Sequence, residues 1–133
     1  FITQQTNAGV IQKTLEQQLD QLRLAKELGV RVALGTGAGS LGVLHGEAMV
    51  EELKLFKKTG YSLAEAVQCA TTKSAELLGL NQFQGISPGA AATFLICRGA
   101  PSQLPRKLLY LESMWINGKP SPYYRKNPVK HVA

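Results

Sequence analysis

The chain has 133 residues, 44% of them hydrophobic and 18% charged, with a formal net charge of +6. That length suits one domain with a real core, and the composition excludes an intrinsically disordered chain. No apolar run approaches the roughly 20 residues of a membrane helix, and no signal-peptide pattern opens the chain. The charge is uneven: residues 1–97 carry eight Lys or Arg against eight Asp or Glu, while residues 98–133 carry seven against one. The basic end contains Arg125, Lys126 and Lys130 beside Tyr123 and Tyr124. No nucleic-acid motif accompanies it, so it reads as a solvated tail rather than a nucleic-acid contact. Cys69 and Cys97 stand far apart in apolar contexts. Two buried free thiols are expected, which favours the cytoplasm. The chain opens Phe1-Ile2-Thr3 without an initiator methionine, which suggests a fragment or a processed chain.

Asn7 to Leu28 is predicted to be an amphipathic helix. Ile11, Leu15, Leu19, Leu22 and Leu28 recur at spacings near three and four and share one face. Gly29 is its stop signal. Arg31 to Thr36 is short and apolar and reads as a buried strand. Helix, glycine, strand and loop into another helix form the rhythm of a parallel sheet with helices outside it. The next helix is expected from His45 to Lys58, with Ala48, Met49, Glu52, Leu53 and Phe56 inward and Glu47, Glu51, Lys54, Lys57 and Lys58 mostly outward. Gly60 ends it. Ser62 and Glu65 have the spacing of a capping box and start a further helix with Leu63, Ala66, Val67 and Ala70 on its apolar side. Lys73 to Leu78 forms a short helix closed by Gly79. Beyond Leu80 the pattern becomes β-rich: a Pro88-Gly89 turn leads into a strand at Thr93 to Cys97, and Leu108 to Ile116 is a second strand before a tight Asn117-Gly118 turn.

The loop after the first predicted strand admits two readings. Gly37-Ala38-Gly39-Ser40-Leu41-Gly42 matches G-x-G-x-x-G between a strand and a helix. Glycines of that kind let backbone N–H groups approach a pyrophosphate at a helix N-terminus. The acid expected about 20 residues on, at the end of a second strand, is missing, and no Lys-Ser or Lys-Thr follows the glycines. A Walker loop is therefore excluded and a nucleotide-binding glycine loop is the lesser alternative.

The other reading rests on resemblance. The segments Leu63-Ala64-Glu65-Ala66-Val67, Ala70-Thr71-Thr72 and Ala75-Glu76-Leu77-Leu78-Gly79-Leu80 resemble the helices after the last barrel strand of metal-dependent amidohydrolases. Gly85-Ile86-Ser87-Pro88-Gly89 resembles that family's turn into a small β-domain, and Trp115-Ile116-Asn117-Gly118-Lys119 resembles its closing hairpin. The nearest likeness is to the imidazolonepropionase-like and prolidase-like branch. The resemblance implies an α/β chain: the C-terminal portion of a distorted (β/α)8 barrel followed by strands of a small β-sandwich. A full barrel needs about 250 residues. Residues 1–80 would supply the barrel segment, 81–120 the sandwich strands and 121–133 the basic tail.

The resemblance further implies a hydrolase acting on C–N bonds of cyclic amides or dipeptide-like small molecules, with zinc or a similar divalent metal. In the family an Asp follows Gly-Thr at the end of the last strand, ligates the metal and handles the proton of the attacking water. Here that position is Gly37, which can do neither, and the chain's only aspartate is Asp20 in the first helix. Thr93 likewise stands where the family usually carries Asp, a change expected to be structural. His45 follows the glycine loop, where the family has a His-Gly beside the active site; it is the candidate substrate contact, against a packing or capping role. His131 is the other histidine and lies in the tail. Two histidines in different regions do not make a hydrolytic metal site, so no metal is expected on this chain alone. Glu47, Glu51 and Glu52 read as a solvated turn, Ser40 lacks a nucleophile context, and Cys69 reads as a core thiol. Phe94 and Trp115 read as sandwich core. The expected partner is a missing N-terminal barrel segment, or a second copy in its place. The alternative is a non-catalytic binding or assembly module of the same fold.

Overall fold

The computed structural model describes residues 2–83 and 85–123. The predicted helices are present: α1 (Ile2–Glu27), α2 (Glu47–Lys58), α3 (Leu63–Ala70) and α4 (Thr72–Leu77). A three-stranded antiparallel sheet follows, ordered β1 (Phe94–Cys97), β2 (Leu111–Ile116) and β3 (Lys119–Pro120). Short 3₁₀ turns at Asn81–Phe83, Pro101–Gln103 and Arg106–Leu109 join the pieces.

The helix ends form as their residues dictate. Gly29, Gly60 and Gly79 all have positive φ, and each sits in a Schellman closure. At α1, Val30 N donates to Ala25 O at 2.9 Å and Gly29 N to Lys26 O at 3.0 Å. The Ser62–Glu65 capping box also forms: Glu65 N donates to Ser62 Oγ at 3.2 Å, and Ser62 N donates to Glu65 Oε2 at 2.7 Å.

The core lies where α2 and α3 cross. Leu34, Leu53, Phe56, Tyr61, Ala66 and Cys69 are buried together, with Leu22, Val32, Met49, Val67 and Leu108 packed around them. Phe56 and Tyr61 meet with ring centroids 5.0 Å apart. The end of α1 is pinned to this unit by Lys26. Its Nζ donates to Glu65 Oε2 at 3.0 Å and to Gly60 O at 2.5 Å, and stands 4.8 Å from the Tyr61 ring centroid. From Ala8 on, most of α1 is bare: Val10, Ile11, Leu15 and Leu24 are exposed, and only Leu19 and Leu22 of its stripe are half-buried.

Three expectations need correction. Arg31 to Thr36 forms no regular secondary structure and pairs with no strand among the described residues; it is tied to the body by Leu34 N donating to Cys69 O at 2.8 Å, by Arg31 pairing with Glu76 at 3.2 Å and by Val32 packing on the core. A parallel strand takes its hydrogen bonds from neighbours distant in sequence, and none stands beside it here. The second predicted strand starts at Leu111 rather than Leu108, because Arg106–Leu109 closes as a 3₁₀ turn that tucks Leu108 against the core. The helix after the glycine loop, expected from about His45, begins at Glu47, because Gly46 at its N-cap has φ 83°.

The β-region matches the turn chemistry. Ala90 N donates to Ser87 O at 3.0 Å across Pro88-Gly89. Asn117 (φ 49°) and Gly118 (φ 78°) make the two-residue turn that pairs Ile116 with Lys119. Thr93 has the structural role expected of it: Asn117 N donates to Thr93 Oγ1 at 3.1 Å, fastening the turn to the start of β1. Phe94 and Trp115 are register partners and stack with centroids 6.0 Å apart. Among the described residues no helix is long and apolar enough to cross a membrane. The basic tail beyond Tyr123, with His131, lies outside the described residues.

Candidate functional site

The segment Arg31 to Thr36 ends at Thr36, whose Oγ1 accepts from Ala38 N at 3.1 Å and starts the turn into the glycine loop. The loop then closes on itself. Ser40 N donates to Gly37 O at 3.2 Å, Val43 N to Ser40 O at 3.0 Å and Gly39 N to Val43 O at 3.1 Å. These amides are engaged within the loop instead of converging on an anion. Gly42 is also separated from the start of α2 at Glu47, so the glycines do not form a helix N-terminus. A phosphate grip of the dinucleotide type needs both features.

His45 folds back over this loop. A methyl group placed on Gly39 would lie 3.6 Å from His45 Nε2 and 3.9 Å from Cε1. The imidazole is exposed, as are Leu41 and Leu44 beside it. Gly37 has φ 61°, in the left-handed region, with nothing within 4 Å of where a side chain would begin. The structure thus sets His45 against Gly39 on an open surface, while Gly37, two residues earlier in the same loop, has no such neighbour.

It does not bring carboxylates to them. Asp20 is exposed on α1 and hydrogen-bonds Arg23. Glu47 is exposed, and Glu51 is exposed and paired with Lys54 at 2.6 Å. Glu52 lies on the inner side of α2, as its spacing predicts, and is half-buried rather than part of a solvated turn; burial pushes its carboxyl up. Cys69 is fully buried, and burial pushes its thiol up, as suits an inert core cysteine. Cys97 is also free, but half-buried. Among the described residues no three His, Cys, Asp or Glu side chains gather where they would hold a metal ion. A hydrolytic zinc site takes three protein ligands around an open position, and the donors present do not fit that requirement.

A sequence model of the Amidohydrolase family matches residues 3–127. The chain belongs to this family. Its members are generally metal-dependent hydrolases, and the mixed helix and strand architecture with its small sheet is consistent with a partial α/β amidohydrolase. No curated protein matches the chain. The family match runs from α1 through β3 and includes the glycine loop, His45 and the hairpin, so the amidohydrolase assignment rests on the whole of the described fold.

Proposed function

We propose that residues 1–80 form the closing end of an amidohydrolase barrel, 81–120 contribute strands to its small β-sandwich, and 121–133 form a basic tail. In this reading Arg31 to Thr36 is the last barrel strand, and Gly37 and His45 sit on its C-terminal loop, where barrel enzymes gather their chemistry. The parent activity is hydrolysis of C–N bonds in cyclic amides or dipeptide-like molecules, on the imidazolonepropionase-like or prolidase-like branch. The compartment is the cytoplasm, in keeping with two free cysteines.

The observation that supports this reading is a single glycine loop that begins with the Thr36 turn and carries the His45 ring against Gly39, two residues beyond Gly37. Its chemistry is restricted. His45 offers an imidazole that can donate or accept a hydrogen bond to a substrate's polar edge, and exposed Leu41 and Leu44 offer apolar contact. Gly37 supplies no carboxylate to take a proton from water. The chain alone therefore binds substrate poorly and does not hydrolyse it. The natural cover for the unpaired segment and the bare face of α1 is the preceding part of a barrel; in isolation the same surfaces drive self-association.

The test is a panel of cyclic imides, imidazolones and Xaa-Pro dipeptides, assayed after loading with Zn²⁺ or Mn²⁺. The unaltered chain and Gly37→Asp are expected to stay at background. With a separately supplied N-terminal barrel half, Gly37→Asp is expected to turn over and the unaltered chain is not. Metal-dependent turnover by the unaltered chain alone would overturn the reading.

A further inference from the structure

All of the chain's excess positive charge lies beyond Cys97, and part of it gathers in one place. A cleft of about 630 Å³ opens between α2 and the connection from β1 to β2. Lys54 lines it from α2, and Ser102, Gln103, Arg106, Lys107 and Tyr110 line it from the connection. No carboxylate is among its lining residues. Lys54 shares its charge with Glu51, but among the described residues neither Arg106 nor Lys107 pairs with a carboxylate.

The wall that carries these cations is fixed rather than loose. Pro105 is buried, and Leu108 packs onto the core formed by α2 and α3. Gln103 is oriented too: its Oε1 accepts from Ala100 N at 3.2 Å, which leaves its amide NH₂ as a donor. Arg106 and Lys107 leave two adjacent cations without a carboxylate partner on one wall, and a bound polyanion supplies the missing opposite charge.

We propose that this cleft binds a small phosphate-bearing anion. A guanidinium forms paired hydrogen bonds to phosphate oxygens, and the two ammonium groups add charge without a geometric demand. The hydroxyls of Ser102 and Tyr110 and the Gln103 amide are neutral donors for the remaining oxygens. A monocarboxylate would leave most of the positive charge unmatched, whereas a diphosphate meets it. The volume lies within the range of about 300–1,000 Å³ that small-molecule sites occupy. The site shares no residue with Gly37 or His45, so it stands or falls independently of the amidohydrolase loop.

The experiment is calorimetric titration of the full chain with inorganic pyrophosphate at low and at physiological salt. One saturable site is expected. Arg106→Gln/Lys107→Gln should weaken it by at least about tenfold, and Lys54→Gln, on a different element, by about threefold or more. Lys13→Gln/Lys57→Gln removes the same charge from outside the cleft and should leave the affinity within about twofold. Circular dichroism checks that each variant is folded. Absence of saturable binding by the unaltered chain, equal weakening by the two double variants, or full affinity in Lys54→Gln would each overturn the proposal.

Discussion

The α2–α3 unit and the segment that leads into it, residues 31–46, are near neighbours with opposite fates. In the first, Val50, Leu53, Phe56, Ala66 and Cys69 are buried, and both helix ends that meet there are closed by hydrogen bonds from their own glycine or serine. In the second, Leu34 is the one buried side chain; Leu41 and Leu44 face solvent, and among the described residues no strand stands beside residues 31–36. Both stretches are comparably rich in apolar residues. The difference is where their partners lie. A cap, a Schellman closure or an i,i+4 stripe finds its complement within a few residues, whereas a parallel strand and its loop depend on groups far away in sequence. The same contrast runs along α1, whose last turns are held by Lys26 while Val10, Ile11 and Leu15 remain exposed.

The sharpest way to break this comparison is to delete equal side chains from its two halves. Leu53 is 1% exposed, and Leu53→Ala should cost about 3 kcal/mol in urea unfolding. Leu41 is fully exposed, and Leu41→Ala should stay within about 0.5 kcal/mol. Similar losses at the two positions would mean that the glycine loop is packed rather than open.

Next in size is the cap that starts α3. Ser62→Ala removes the acceptor for Glu65 N and should lower stability by about 1 kcal/mol, measured by the same unfolding curves. A value near zero would show that packing of α3 alone sets its beginning.

The same box gives a pH dependence. Glu65 is lowered to about 2, chiefly by the Ser62 backbone amide and then by the Lys26 ammonium and the Ser62 hydroxyl. An unfolded Glu titrates near about 4.3. A depressed carboxyl contributes its stability above the unfolded value and loses it as pH falls toward the folded one. The gap in stability between the unaltered chain and Glu65→Gln should therefore narrow from about pH 5 down to about pH 2 and stay constant above that window. A gap independent of pH would remove Glu65's charge from the account.

The smallest expected effect is at the loop itself. Gly37→Asp meets no neighbour within 4 Å but adopts φ 61°, a region where Asp is among the better-tolerated residues. Its cost should be about 1 kcal/mol or less. A much larger loss would show that the turn requires glycine and that no acid can return to this position.

What the sequence revealed follows the same division. The helices, their glycine stops, the Ser62–Glu65 box and the Asn117-Gly118 turn were legible because each is a local pattern with one low-energy solution. The pairing of Thr93 with the Asn117 turn was anticipated only as a structural role. Arg31 to Thr36 has strand composition, yet composition cannot supply a neighbouring strand. At the loop, the absence of any acid from residues 31–46 and the remoteness of Asp20 were readable from residue types alone. The placement of the His45 ring over Gly39 was not, because it depends on four positive-φ glycines between residues 37 and 46 turning the chain back. The spacing of Glu52 places it inward on α2 while its charge suggests a solvated turn, and the structure follows the spacing. The basic cleft was hidden for a related reason: Lys54 lies about fifty residues before Arg106 and Lys107, and only the packing of Leu108 brings the two elements together. The run Pro105-Arg106-Lys107 was the available clue.

The measurement that bears hardest on the proposal that the glycine loop lacks its metal-binding acid is a calorimetric zinc titration of the chain, repeated with Gly37→Asp and His45→Ala. The expected result is no stoichiometric tight binding by any of the three, because neither one restored carboxylate nor one exposed imidazole fixes an ion at an open catalytic site. One-to-one tight binding by the unaltered chain, abolished in His45→Ala, would contradict it.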